Sequence, residues 1–204
     1  MTADRRPLSR EFFSQPVLDV ARQLIGKILV SRFDGVEMSG RIVETEGYAG
    51  LADPASHAVR LRRSRERMGG EPGLAYVHLS HGLHNTLNVV AEPAGSPSAV
   101  LIRALEPITG VTVMRRRRMA PDRMSDVKLA SGPGNLARAL AITLLDDGRD
   151  LTSDPVLFLV EAPPCPVVWE STRIGLTKGT DVAWRFFDPA SRSVSAHRRG
   201  RESV

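Results

Sequence analysis

The feature that most restricts the fold is a tight-turn dipeptide, Asp34-Gly35, between two β-type runs at residues 27–33 and 36–46. An Asp-Gly turn accepts positive φ at both central positions and joins antiparallel neighbours, so the chain must contain at least one hairpin. A second pair of short strands, residues 74–79 and 83–90, flanks Ser80-His81-Gly82. Further strand-like runs lie at residues 99–105 (AVLIRAL), 156–160, 173–176 and 184–187. Helical patterns are fewer. Residues 9–25 read as one helix with Ser9 as cap and Val17, Ala21, Leu24 and Ile25 on one stripe, ended by Gly26. Others fall at residues 110–119 and 134–145, and the polar stretch 49–73 reads as a surface segment with one helical turn. Strands do not alternate with helices, which predicts an α+β fold on a mainly antiparallel sheet rather than a doubly wound one.

The chain is 204 residues, enough for one domain with a core of its own, and we expect a single domain over 1–204 with loose tails at 1–8 and 197–204. Cys165 is the sole cysteine, so neither an internal disulfide nor a CxxC metal site is possible. The first ten residues lack the apolar core of a signal peptide, and no apolar run approaches the ~18 residues of a membrane span. A soluble, cytoplasmic protein is expected. Its charge is skewed: net +5, with 28 basic residues of which all but Lys27, Lys128 and Lys178 are arginine. Five of the eight residues from Arg60 to Arg67 are arginine, and Arg115 to Arg118 is an unbroken run. Such blocks suit a phosphate backbone, or they are solvated helix faces.

Arg103 interrupts an apolar strand, and buried arginines are rare unless paired. Glu44 or Glu46 is a reasonable partner: in an extended chain Ile42, Glu44 and Glu46 share a face. Four of the five histidines lie between His57 and His84, with Tyr48 near the glutamates. A carboxylate held ionised by an arginine suits a base that activates water, though the same pattern fits a plain buried ion pair. His78, His81 and His84, with Glu44, Glu46, Asp53 and His57, could be read as a metal site. Strand alternation puts His81 on the opposite face from the other two, so no metal is expected. Glu44 and Glu46 on one strand do not flank a sugar as a glycosidase dyad must. Gly132-Pro133-Gly134 reads as a helix start able to touch a phosphate.

Several ordered blocks carry a resemblance: Arg41 to Tyr48 (RIVETEGY), Asp53 and His57, Pro72-Gly73 through Tyr76-Val77 and Gly82, Asn88, Leu101 to Pro107 (LIRALEP), Ser131-Gly132-Pro133, and Arg173-Ile174-Gly175 before Trp184-Arg185-Phe186. Over residues 8–195 the chain resembles the alkyladenine (3-methyladenine) DNA glycosylase family. The resemblance implies a curved antiparallel sheet with a hairpin projecting into the DNA minor groove. It implies a monomeric, monofunctional base-excision enzyme acting on double-stranded DNA with damaged bases, without cofactor, metal or obligate protein partner. Glu46 would be the general base, with Arg103 and the Ile174 carbonyl holding the water. Tyr48 and His57 would stack on the extruded base, and Asn88 would clash with a guanine 2-amino group. Arg62, Arg63, Arg65, Arg116, Arg117 and Gly134 would then contact backbone phosphates. Bases implied as substrates are 3-methyladenine and, beyond it, 7-methylguanine, hypoxanthine and ethenoadenine. The alternative is a non-catalytic nucleic-acid-binding protein of the same fold.

The chain departs from the family where tyrosine is common. His78 stands at the third stacking position and His81 at the wedge that fills the vacated stack. Imidazole is flat and can serve in both places, but it is smaller, and a protonated His78 would repel a cationic base.

Overall fold

A computed structural model of the chain describes residues 6–195 and 200–203. The elements in chain order are α1 (Arg10–Phe13), α2 (Val17–Gln23), β1 (Ile28–Ser31), β2 (Met38–Tyr48), α3 (His57–Arg60), α4 (Arg62–Met68), β3 (Ala75–Ser80), β4 (His84–Val90), β5 (Ala99–Thr109), α5 (Val111–Arg118), α6 (Pro133–Leu140), β6 (Leu157–Val160), β7 (Trp169–Ser171), β8 (Arg185–Phe187) and β9 (Arg201–Glu202). Every strand pairing is antiparallel, in the order β3-β4-β5-β2-β8-β7-β9, and the sheet is not closed. The free edge of β2 is shared. Its first half, residues 38–41, pairs with β1, and its second half, residues 44–46, pairs with β8. Between these halves a register shift sets Ile42 opposite Leu105 and Glu44 opposite Ala104, a bulge that uses up one extra residue of β2. The α+β, antiparallel expectation holds.

Alternation along the strands divides the sheet into two chemically different faces. Val77, Leu87, Val89, Val100, Ile102 and Leu105 pack into the main core with α2 and α6. Tyr76, Val90 and Ala99 lie in a separate cluster with Ala58 and Met68, so the intervening positions face the other way. On β2, Thr45 Oγ1 donates to the Ala21 carbonyl at 2.7 Å, and a Cβ on Gly47 would lie 2.7 Å from Leu18. Both residues therefore face α2. Glu44, Glu46 and Tyr48 are left on the face bearing Tyr76.

Several local expectations change. The predicted helix 9–25 is two helices, because Pro16 supplies no N–H to continue the first and caps the second. Ile42 does not share a face with Glu44: it is in the main core, and the bulge breaks the alternation between them. The segment 49–73 folds into α3 and α4, anchored by buried Ala58, Ser64 and Met68. Residues 173–176 form a turn, and the strand in that region is β7. Within the terminal segments expected to be loose, Leu8 is fully buried and donates to Leu159, while Arg201–Glu202 pairs with β7. Residues 1–5, 197–199 and 204 lie outside the described residues. Among those described, no helix is long and apolar enough to cross a membrane.

Gly35 and Gly110 both sit at φ +71°, but only Gly110 is crowded: a Cβ there would lie 2.5 Å from Met38 Cγ and 2.7 Å from the Glu37 carbonyl. Urea denaturation is expected to show a loss of ~1 kcal/mol for Gly35→Ala, from positive φ alone. Gly110→Ala adds the clash and should lose ~3 kcal/mol or more. Equal losses would mean that backbone conformation, not packing, governs both positions.

Candidate active site

The face opposite the main core, covered in part by α3 and α4, carries the ionisable residues. Glu44 is fully buried between two guanidiniums: its Oε1 accepts from Arg103 Nε at 2.9 Å and from Arg185 Nε at 2.8 Å, and its Oε2 accepts from the Ser195 N–H at 2.6 Å. Burial pushes the carboxyl up, but the charges of Arg103 and Arg185 and the Ser195 bond outweigh it and hold Glu44 below the usual carboxylate range. Arg103 continues the chain of charge, with its NH1 3.1 Å from Glu46 Oε1. Burial disfavours this cation, yet Glu46 and Glu44 together raise it above the usual guanidinium range. Arg103 therefore pairs with both glutamates, not with one of them.

Glu46 is also fully buried. Its Oε1 accepts from the Ile174 N–H at 2.8 Å, and its Oε2 accepts from the Tyr48 hydroxyl at 2.9 Å. A carboxylate offers about four acceptor sites, and these two hydrogen bonds engage two of them, with the Arg103 guanidinium alongside as an ion pair. Tyr48 is held neutral: burial, then the Glu46 charge and hydrogen bond, push its phenol well above the ordinary value. Ile174 meets the site through its N–H, whereas its carbonyl was the group expected to matter.

A recess of about 390 Å³ opens against Tyr48, Arg103 and Ile174, the three partners of Glu46, while Glu46 itself lies behind them and is not among the residues that line it. Tyr48, Arg103 and Leu101 line it from β2 and β5, Thr86 and Asn88 from β4, Tyr76, His78 and Ser80 from β3, His57 and Arg60 from α3, and residues 174–177 from the opposite loop. This volume holds a flat heteroaromatic base. Its rings are interlocked: Tyr76 and His78 stack at 5.1 Å, and His57 meets His78 edge-on at 4.3 Å. Tyr76 donates to Ser64 Oγ at 2.9 Å and lies 3.2 Å from His57 Nδ1. Burial and the neighbouring His57 lower the His78 pKa to about 4, and burial followed by Arg60 lowers that of His57. Both rings are neutral near pH ~7, which removes the like-charge conflict expected for His78.

Sequence reasoning brought Glu46, Arg103, Tyr48, His57, His78, Asn88 and Ile174 together at this site. It left three contributors without a role. Tyr76 was legible, being two residues before His78 and so on the same strand face. Arg173 and Asp53 were visible only as parts of matching blocks. The Arg173 guanidinium is fully buried in a bidentate pair with Asp53 at 2.6 and 2.9 Å, donates to the Gly47 carbonyl, and lies between the rings of Tyr48 and Trp184 at 4.7 and 5.0 Å. It staples the loop that carries Ile174 to the end of β2.

The groups expected to meet phosphates fare unevenly. Arg62 pairs with Glu66 at 2.8 Å, and Arg65 donates to the Ala58 carbonyl. Arg63 and Arg116 are exposed and make no hydrogen bond or ion pair among the described residues. Arg117 is no free cation: it is largely covered and pairs with Asp34 at 2.8 Å. Gly134 packs so closely on His84 that a Cβ would lie 2.8 Å away. His81 stands exposed at the β3–β4 turn at φ 50°. Among the described residues no group of three or more His, Cys, Asp or Glu is arranged to hold a metal ion.

An aromatic recess against the partners of a sequestered carboxylate, on an antiparallel sheet, is the kind of site expected of a DNA glycosylase. Residues 11–192 match the family model of Methylpurine-DNA glycosylase, and the chain belongs to that family. It is 43% identical over 197 residues to a protein of Chlorobium phaeobacteroides (strain BS1), covering 95% of this chain and 98% of that one. Relatives from Methanocella arvoryzae and Shouchella clausii are 41% and 42% identical over 95% of this chain and 98% of their own. All three are named "Putative 3-methyladenine DNA glycosylase".

The His78 value sets the sign of a pH effect on stability. Its pKa is lowered in the folded chain from 6.5 to about 4, so the unfolded chain binds this proton first as pH falls. The contribution is complete above pH ~6.5 and is lost on acidification toward pH ~4, ~2 kcal/mol of it between pH ~7 and ~5. Urea titrations should show His78→Phe losing less over that interval than the parent. Parallel losses would mean that His78 is protonated in the folded state.

Proposed function

We propose that the chain is a monofunctional DNA glycosylase of base excision repair that rotates an alkylated purine, such as 3-methyladenine, out of the duplex and hydrolyses its N-glycosidic bond. The single observation that carries this reading is Glu46: a buried carboxylate hydrogen-bonded by Tyr48 and Ile174 and ion-paired with Arg103, all three of which line a recess walled by rings. A base cannot be attacked inside the stack, so the nucleotide must first enter the recess, with its ring between Tyr48 and the imidazoles of His57 and His78. Purines alkylated at N3 or N7 are cationic. They are good leaving groups, and electron-rich rings attract them.

As the bond breaks, the sugar gains oxocarbenium character. Glu46 stabilises that charge, and a remaining lone pair takes a proton from the attacking water. The hydrogen bonds from Tyr48 and Ile174, with the Arg103 ion pair, fix the orientation of the carboxylate before the reaction occurs. Arg103 orients the water from the recess side. Asn88 crowds the purine 2-position and so disfavours guanine. His81, projecting from the β3–β4 turn, fills the gap left by the extruded nucleotide, while Arg63 and Arg116 are the cations most free to meet phosphates.

Glu46→Gln keeps size and shape while removing the base. Duplex carrying a methylated purine should still bind, but alkali-heat treatment should reveal at least ~100-fold fewer strand breaks, the scale of general base catalysis. Undiminished alkali-labile sites would reject Glu46 as the base. Nicking without alkali, stopped by a chelator, would indicate a nuclease instead. His81→Ala should weaken binding to damaged duplex more than to damaged single strand, because only the duplex has a stack to plug. Equal losses would remove His81 from that role.

A further inference from the structure

Three side chains on the β3–β4 wall determine where one another's hydrogens lie. Asn88 Nδ2 is 3.0 Å from the Tyr76 carbonyl and 3.2 Å from His78 Nδ1. A carbonyl can only accept, so the amide nitrogen must face it and the amide cannot be turned over. The same nitrogen then presents its second hydrogen to His78 Nδ1, which must carry a lone pair. His78 is therefore the Nε2–H tautomer. Thr86 Oγ1 lies 3.2 Å from Nε2 and 3.4 Å from Nδ1, and it donates its hydrogen to the His78 carbonyl at 3.3 Å. The amide hydrogens of Asn88 and the hydroxyl hydrogen of Thr86 are thus used within the wall. What remains is Asn88 Oδ1, which has no hydrogen-bond partner among the described residues, is not a buried orphan, and belongs to a residue lining the recess.

We propose that His78 is a specificity-determining positioning residue: by accepting from Asn88 it locks the amide with its oxygen toward the recess, making this wall an acceptor surface that favours cationic alkylated purines over neutral damaged ones. The inference rests on the glycosylase reading and names the substrate class of that same site. A cationic base gains from the carbonyl dipole of Asn88 and from the faces of neutral rings. A neutral base meets the same oxygen without a charge to reward it. Burial keeps the His78 ring neutral, as the lock requires.

Two substitutions separate the lock from the stacking surface. His78→Phe keeps a flat ring without an acceptor, whereas His78→Asn can place an amide oxygen near the position of Nδ1 without a ring. Single-turnover release of 3-methyladenine from methylated duplex, and of hypoxanthine from a defined duplex, gives a ratio of rate constants for each protein. That ratio should fall about tenfold in His78→Phe, the worth of one hydrogen bond, and stay within about threefold of the parent in His78→Asn, even if both absolute rates drop. A ratio that survives in His78→Phe and collapses in His78→Asn assigns selection to the ring and overturns the lock. Nitrogen NMR of histidine-labelled protein reads the tautomer without any substrate: an unprotonated Nδ1 is expected, and an Nδ1–H ring overturns the proposal. A parent that releases both bases equally defeats this inference alone. One that releases neither defeats the glycosylase reading and this inference with it.

Discussion

Everything on the face of the sheet opposite the main core depends on balancing buried charge. Glu44 and Glu46 are both fully covered, and burying carboxylates away from water is costly unless cations and hydrogen bonds meet them. Arg103 bridges them and Arg185 completes the set, so two anions face two cations. Such arrangements contribute little net stability compared with apolar packing, because desolvation consumes most of the Coulomb gain. Their effect is geometric. Each group loses its partner if it moves, so the carboxylate of Glu46 is held in one orientation behind the lining of the recess.

A second balanced pair extends this control to the loop opposite. Arg173 and Asp53 are buried together, and Arg173 also lies against Tyr48 and Trp184. Because Ile174 follows directly, the position of its N–H on Glu46 is tied to the Arg173 anchor. The ring of Tyr48, which bounds the recess and bonds to Glu46, is braced by the same cation. The recess and the Glu46 carboxylate are therefore coupled through shared side chains.

The arginine surplus has two uses that composition could not separate. In the run from Arg115 to Arg118, Arg115 bonds Asp126 and three loop carbonyls, Arg117 holds Asp34, and Arg118 bonds the Leu129 carbonyl. These cations sit at the C-terminal end of α5, where the helix dipole favours them, and they organise the loop that follows. Arg63 and Arg116 stay in solvent. A positive balance overall thus reflects internal scaffolding as much as attraction to a polyanion.

The strand-rich, antiparallel character was readable from the chain alone, because hairpin turns and two-residue alternation are local rules. Tyr76 and His78, and likewise Thr86 and Asn88, are two residues apart on one strand and so share a face. The pairing of Arg103 with a glutamate followed from the cost of burying a lone guanidinium in an apolar strand. What the chain could not reveal was anything set by segments far apart in sequence. The bulge that separates Ile42 from Glu44 arises where β2 changes partner from β1 to β8. The Arg173–Asp53 anchor joins residues 120 apart, and the tautomer of His78 follows from a hydrogen bond across two strands. Local preference writes the strands and their faces. Only the packed molecule decides which charges meet, which hydrogens are spent and which lone pair is left open, because those outcomes depend on distances no single segment contains.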